Sequence, residues 1–293
     1  MLWVLINPFA GRGRGKNIGE NICSELKARG IAFECVSTEF AGHTTVLAQR
    51  AVESGCKLLI TVGGDGTAGE VAGVLKNTDT AMGLIPAGTG NDYGRLLGIP
   101  TNWRDALAIA LGNGRRRVDL MDVNGRTCLN ICSIGLDSSA GYYADKFKRV
   151  LRGMAAYAAG LVIAFVKYKP LEFTMRIDDG PEEKVSATIA VAANGQYYGG
   201  GFRAVPFADP SDGVLDLMLV DKLTRLKIIP LLIKYAKGRH TNLPICHFRA
   251  CHKISISSKS GLFPVNWDGE TDRGSEFEIE LLPAAMSIAV PEA

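Results

Sequence analysis

The sequence predicts an open parallel α/β sheet in the first part of the chain and a mainly antiparallel β-sandwich in the second. Short apolar runs alternate with helix-length amphipathic segments over roughly the first 120 residues. That is the pattern of parallel strands joined by right-handed helical crossovers. Beyond "NGRRRVDLMDVNG" the runs become short, rich in β-branched residues and separated by turn dipeptides, as hairpin-connected strands are. At 293 residues the chain is long enough for two cores. The boundary is expected near 118–122, giving domains 1–120 and 121–293, with the last strand, about 284–293, a candidate to return to the first domain.

In order, "LWVLIN" is a strand and residues 15–29 a helix closed by Gly30. "AFECVST" is the second strand, followed by a helix over 43–54 closed by Gly55. Glycine suits both ends because a helix commonly stops on a left-handed residue. "KLLITV" leads into a glycine loop and the helix "AGEVAGVLK"; "AMGLIP" leads into "AGTGNDYGRLLG" and a helix from Trp103 to Leu111. In the second domain the strands are "TCLNICSIG", "LEFTMRID", "KVSATIAVAANG", "VLDLMLVD", "HKISISS" and "FEIELL". Asn124-Gly125, Asp179-Gly180 and Asp212-Gly213 mark turns, and helices are expected near 142–167 and 224–237.

Hydrophobic residues make up 47% and charged ones 22%, which excludes a disordered chain. A net charge of +3 is too small to imply nucleic acid, and no such partner is expected. Basic residues cluster at Arg12, Arg14 and Lys16, at Arg115 to Arg117, and at Lys146, Lys148, Arg149 and Arg152. The N-terminal "MLWVLINP" lacks a basic region and reaches Asn7 and Pro8 too soon for a signal peptide. The apolar stretch Met154 to Tyr168 has 15 residues, below the ~18–20 that span a bilayer. A soluble, cytoplasmic protein is expected. Seven scattered cysteines argue against a disulfide framework. "CHFRACH", Cys246 to His252, matches no standard zinc ligand spacing, and the alternation of "HFRACHKISIS" reads as a single period-two strand instead.

Three loops, each after a predicted strand, carry the chemistry. "NPFAGRGRGK", Asn7 to Lys16, is not a Walker A loop, since Asn17 stands where Ser or Thr belongs; its glycines alternate, so it is not GxGxxG either. What remains is a glycine-rich turn at a helix start, with bases that could face phosphate. "GGDGTAGE", Gly63 to Glu70, exposes consecutive backbone amides as an anion nest at a helix N-terminus. Asp65 within it would repel phosphate unless a cation intervenes, and Mg²⁺ is that cation by default. Thr67 can cap the helix or donate to phosphate. "PAGTGNDYGR" adds Thr89, Asn91, a second carboxylate in Asp92 and the cation Arg95. A Rossmann dehydrogenase fails on the glycine spacing.

"GGDGT", "PAGTGNDYGR" and "NPFAGRG" together resemble the lipid kinases of the diacylglycerol kinase catalytic-domain family, including the soluble bacterial and YegS-like members, over essentially the whole chain. The resemblance implies a nucleotide domain of NAD kinase and diacylglycerol kinase type, a β-rich lipid domain, and ATP with Mg²⁺ between them. It further implies nucleotide contacts from Asn7, Pro8, Phe9, Ala10 and Gly11, from Thr38, from Gly63, Gly64, Asp65, Gly66, Thr67, Ala68, Gly69 and Glu70, and from Thr89 and Asn91. "DPSDGVLDL" resembles the family's structural metal loop, with Asp212 as side-chain ligand and the carbonyls of Asp209 and Val214 beside it; a plain Asp-Gly turn is the other reading. Asp92 is a further metal candidate. "VNWDGE" resembles the catalytic DGE, with Asp268 and Glu270 as its acids. One departure is Gly69, where the family usually has asparagine.

Moving a γ-phosphoryl group to an alcohol requires positioning, charge neutralisation and a base at the hydroxyl. Either Asp268 or Glu270 is expected to take the proton, the other orienting it or helping to hold Mg²⁺. Diacylglycerol is the leading substrate, with a sphingoid base, phosphatidylglycerol or an isoprenoid as other lipid alcohols. The helix expected over 142–167 is basic early and apolar late, which suits contact with an anionic membrane surface as well as packing on a sheet. The expected setting is therefore the inner face of a membrane, peripherally bound, with a homodimer as one option for assembly. The competing readings are an NAD kinase, which shares GGDGT, and a non-catalytic nucleotide or lipid sensor. The retained acids Asp65, Asp92, Asp212, Asp268 and Glu270 argue against the sensor.

Overall fold

The computed structural model describes residues 1–147, 154–259 and 261–292. They form two compact units, Met1–Leu120 with Pro283–Ala293, and Met121–Leu282.

In the first unit the strands and helices alternate: β1 (Leu2–Ile6), α1 (Ala10–Ala28), β2 (Phe33–Ser37), α2 (His43–Glu53), β3 (Leu58–Gly63), α3 (Asp65–Leu75), β4 (Ala81–Pro86), α4 (Asp92–Leu96) and α5 (Trp103–Leu111). β1 pairs in parallel with β2 and β3, β3 with β4, and β4 with Ser287 and Ile288 of the last strand. Val4, Leu5, Leu59, Ile60, Met82 and Ile85 are fully or almost fully buried. Strands covered on both faces read as unbroken apolar runs, as "LWVLI" and "AMGLIP" do. The strand order puts β1 between β2 and β3, so the chain reverses its winding direction between β1 and β3. Open α/β sheets bind ligands at such a point, beyond the carboxyl ends of the strands.

The second unit begins in β5 (Arg115–Val123) and continues with β6 (Arg126–Cys128), β7 (Ile131–Gly135), α6 (Leu136–Phe147), α7 (Met154–Lys167), β8 (Leu171–Ile177) and β9 (Glu183–Ala193). After β10 (Tyr197–Tyr198) and β11 (Phe202–Arg203) come β12 (Leu215–Asp221), α8 (Arg225–Ala236), β13 (Cys246–Cys251), β14 (Lys253–Ser257), β15 (Phe263–Trp267), β16 (Glu270–Gly274) and β17 (Glu276–Ala289). Within this unit the pairing is antiparallel: β9 binds β7, β8 and β12, β14 binds β8 and the start of β17, and β15 binds β7 and β16. Alternate residues divide the two faces. Ala190 and Ala192 join Leu217, Ile254, Val265 and Phe277 in the sandwich core. Ile189, Val191 and Ala193 join a second core with Ala164 of α7 and with Ile228 and Leu231 of α8. This period-two sorting is what β-strands impose. Asn124 and Gly125 both take positive φ, closing the β5–β6 hairpin where the Asn-Gly signal placed it.

Three expectations change. The strand expected over "TCLNICSIG" is broken into β6 and β7, and the helix expected near 142–167 is two helices, α6 and α7. These pack closely because their contact is small: a Cβ on Gly160 would stand 2.3 Å from the Ala140 carbonyl and 2.6 Å from the Ala144 nitrogen. Lys148, Arg149 and Arg152 of the basic cluster lie outside the described residues. "HFRACHKISIS" is likewise two strands, β13 and β14. Cys246 and Cys251 point inward while His247 and His252 are exposed, so no zinc set converges there.

Candidate functional site

The loops after β1, β3 and β4 meet. The Asn7 side chain donates to Thr67 Oγ1 at 2.9 Å, and its own Oδ1 accepts from the Phe9 amide at 3.0 Å, tying the first loop to the second. Arg14 Nη2 donates to the Gly88 carbonyl at 2.6 Å, tying the first to the third. Arg14 therefore spends at least part of its guanidinium on the loops themselves rather than facing outward to an anion. The second and third loops touch through glycine: a Cβ on Gly88 would lie 2.5 Å from Gly64 Cα. Gly11 has φ +57° and would put a Cβ 2.0 Å from the Ala87 carbonyl. Only glycine tolerates such an approach at that φ. Gly11, Arg12 and Gly13, with φ 57°, 63° and 91°, also interrupt the first turn of α1. Thr38 is buried at the end of β2, its amide donating to Ile6 O at 2.9 Å.

α3 opens directly from this junction. Its N-cap is Gly64, which has no side chain to accept from the first turn. The leading amides of such a helix look for an external acceptor, and its dipole favours an anion there. Gly66 and Gly69 lie on this helix with no atom within 4 Å of where a Cβ would be. Ala68 is buried, whereas Phe9, Glu70 and Thr89 are exposed. Asn91 is buried; its Nδ2 donates to the Gly88 carbonyl at 3.0 Å, while its Oδ1 has no partner.

Asp65 accepts from the Tyr93 amide at 3.1 Å, so it anchors the start of α4 from below. Burial pushes its carboxyl above the ordinary range, and the neighbouring Asp92 adds to that. Asp92 is itself buried and ion-paired with Arg95. The loops thus bring together two carboxylates, Asp65 and Asp92, with Arg95 paired to Asp92 and Arg14 held on the Gly88 carbonyl.

In the second unit Asp268, at φ 50°, turns its carboxylate into the break between β6 and β7. It accepts from the amides of Leu129, Asn130 and Ile131, the last two at 2.9 and 3.1 Å. Burial raises its pKa to about 6, against the lowering effect of these amides and of Cys128. Glu270, which opens β16, is exposed. The two acids of "DGE" therefore differ: one is consumed by backbone, the other is accessible.

At the Asp209–Val214 turn, Asp209 Oδ1 accepts from the amide and hydroxyl of Ser211, and Asp212 Oδ1 accepts from the Val214 amide at 2.9 Å. Gly213, at φ 75°, completes a tight turn. Asp216 has its pKa raised to about 6, by burial first and by Asp212 second. These oxygen-only donors suit a hard cation such as Mg²⁺. The side chains supply two carboxylates, and among the described residues no group of three metal-binding side chains converges.

Sequence reasoning missed two features. Arg14 and Gly88 knit the loops together, yet neither is distinguishable by type from its neighbours. Asp137 is a buried acid whose Oδ2 accepts from Tyr198 at 3.0 Å, with a pKa raised by burial to about 6. An acid inside "ICSIGLDSSAG", an otherwise uncharged run, was the available signal.

Residues 1–123 match the diacylglycerol kinase catalytic domain, and residues 130–290 match the YegS C-terminal NAD kinase beta sandwich-like domain. The chain is 29% identical over 293 residues to a protein of Mycobacterium tuberculosis named diacylglycerol kinase, covering 98% of this chain and 94% of that one. It is 32% identical over 256 residues to a protein of Chromohalobacter salexigens named "Probable lipid kinase YegS-like", covering 86% and 81%. A crystal structure of a diacylglycerol kinase from Bacillus anthracis shares the fold with a TM-score of 0.75 at 23% identity, over 99% of this chain and 96% of that one. The chain belongs to the diacylglycerol kinase catalytic-domain family of lipid kinases.

Proposed function

We propose that the protein transfers the γ-phosphoryl group of ATP to the hydroxyl of a lipid alcohol, with diacylglycerol as the substrate and phosphatidic acid as the product. The observation that carries this is the junction of the three loops. Gly64 against Gly88, Asn7 against Thr67, and the uncapped first turn of α3 form a backbone cradle suited to a polyphosphate. In this reading the amides of residues 65–67, Asn91 and the loop Asn7 to Gly11 hold the phosphates, and Thr38 and Thr89 contact the remainder of the nucleotide. Asp65 and Asp92 attract Mg²⁺ electrostatically, and Asp212 with the carbonyls of Asp209 and Val214 holds a second, structural cation. Bound Mg²⁺ would neutralise developing phosphate charge.

Glu270 is the proton acceptor in this proposal, because its carboxylate is free to meet a hydroxyl. Asp268 is a positioning residue: the hydrogen bonds it accepts from three backbone amides hold the turn from which Glu270 projects. Membership of the lipid-kinase family favours this reading over an NAD kinase. No helix among the described residues is long and apolar enough to cross a membrane; the proposed setting is peripheral, at the cytoplasmic face.

The test is purified protein with radiolabelled ATP, Mg²⁺ and a panel of lipid alcohols in mixed micelles, with NAD in parallel. Label on diacylglycerol supports the proposal. Label on a sphingoid base or phosphatidylglycerol moves the substrate within the class, and label on NAD overturns it.

A further inference from the structure

α8 carries an apolar stripe that no described residue of the second unit covers. Its inner face, Ile228, Leu231 and Tyr235, is in the core. Its outer face presents Leu226, 84% exposed, Ile229, 52%, and Ile233, 60%, with Pro230 between them. The spacing i, i+3, i+7 puts these side chains on one face of the helix. α7 presents Val162 and Val166, both 62% exposed. The two helices share one core, and Arg225 Nη2 reaches the Tyr168 carbonyl at 3.4 Å, joining the start of α8 to the end of α7.

Along the segment that carries this stripe the charges are of one sign, the preceding Asp221 being paired with His247. From Lys222 to Arg239 the segment "KLTRLKIIPLLIKYAKGR" contains Lys222, Arg225, Lys227, Lys234, Lys237 and Arg239 and no acid. A second copy docking through this face about a two-fold axis would set cations against cations. An apolar stripe flanked by lysines is instead the arrangement that lies in the headgroup region of an anionic bilayer, apolar groups inward and ammonium groups toward phosphate.

We propose that the outer face of α8, continued by Val162 and Val166 of α7, docks the protein on a membrane rich in anionic phospholipid. This rests on the lipid-kinase reading only for its purpose, since an acceptor with long acyl chains is presented by a bilayer; the surface itself stands on exposure and charge.

The experiment is sedimentation with vesicles of phosphatidylglycerol and phosphatidylcholine, compared with phosphatidylcholine alone. Wild type should bind the anionic vesicles and lose binding at high salt. The exposed triple variant Leu226→Gln, Ile229→Gln, Ile233→Gln should weaken binding at least tenfold. Lys227→Gln with Lys234→Gln should weaken it roughly 25-fold, about fivefold per cation. Thermal unfolding should be unchanged in both, and so should turnover on a dispersed short-chain diacylglycerol. Wild-type binding by both variants overturns the assignment, as does failure of wild type to bind anionic vesicles. A dimer of wild type that the triple variant dissolves also overturns it, in favour of a second copy. If wild type binds vesicles through this face yet phosphorylates no lipid, the docking surface stands and the kinase proposal falls.

Discussion

Replacing Gly88 by alanine tests whether the loop junction is as tight as its geometry implies. The new Cβ would lie 2.5 Å from Gly64 Cα and 2.9 Å from Asn91 Oδ1. Carbon atoms pack at about 3.5–4.0 Å, so the two loops must part by about 1 Å. Overpacking of this kind costs roughly 1–3 kcal/mol, which for a chain of this size lowers Tm by roughly 2–12 °C. A displacement of about 1 Å at a reacting centre can cost roughly 10²-fold in turnover. Gly66→Ala is the control. Its Cβ meets no protein atom within 4 Å, and alanine is favoured over glycine in a helix by about 0.8–1 kcal/mol. Thermal unfolding and calorimetric ATP binding should separate the two: Gly88→Ala loses both stability and affinity, Gly66→Ala keeps stability and loses affinity, because the added methyl meets the phosphate. A Gly88→Ala protein with wild-type Tm and affinity would refute the reasoning, and Gly66→Ala with full affinity would remove α3 from the nucleotide site.

Other outcomes follow from particular contacts. Glu270→Gln should cut turnover by about 10²-fold or more with unchanged Tm, while Asp268→Asn should also lose about 1–3 kcal/mol of stability as its amide partners are left unmatched; the reverse pattern would exchange their roles. Asp137 and its raised pKa give a pH prediction. With a folded pKa of about 6 against 3.8, the folded state binds the extra proton between these values, so wild-type stability falls as pH rises through that window. Relative to wild type, Asp137→Asn should therefore gain roughly 2–3 kcal/mol between pH 4 and 7, read from urea unfolding; parallel curves would contradict this. Gly69→Asn should fold normally, since its Cβ meets nothing within 4 Å, and should tighten ATP binding; weaker binding would mean this chain has adapted its loop to the glycine. Asp212→Ala should lower Tm in Mg²⁺ and abolish the Mg²⁺ dependence of Tm; an unchanged dependence would leave the segment a plain turn.

The fold class was legible because its cause is periodicity. Strands buried on both faces leave runs such as "KLLITV", and those half exposed leave alternation, as in "KVSA" at the start of β9. The loops of the first unit were legible for a related reason: consecutive glycines after a strand cost backbone entropy, and a chain carries that cost where it must turn sharply or be approached closely. What stayed hidden depends on contacts remote in sequence. "TCLNICSIG" reads as one strand, but three of its amides turn aside to a carboxylate 137 to 139 residues away. The close packing of α7 on α6 depends on Gly160 meeting Ala140 and Ala144, a fit that an apolar run does not announce. Asp268 and Glu270 look alike in "DGE", and only the fold gives one to the backbone and leaves the other exposed.

The account turns on where the phosphates of the donor sit. A crystal structure of the protein with a non-hydrolysable ATP analogue and Mg²⁺ measures this directly. The account predicts phosphate oxygens about 3 Å from the amides of residues 65–67, beside Gly88 and Asn91. Phosphates held instead by the side chains of Arg12 and Lys16, or by the second unit alone, would contradict it.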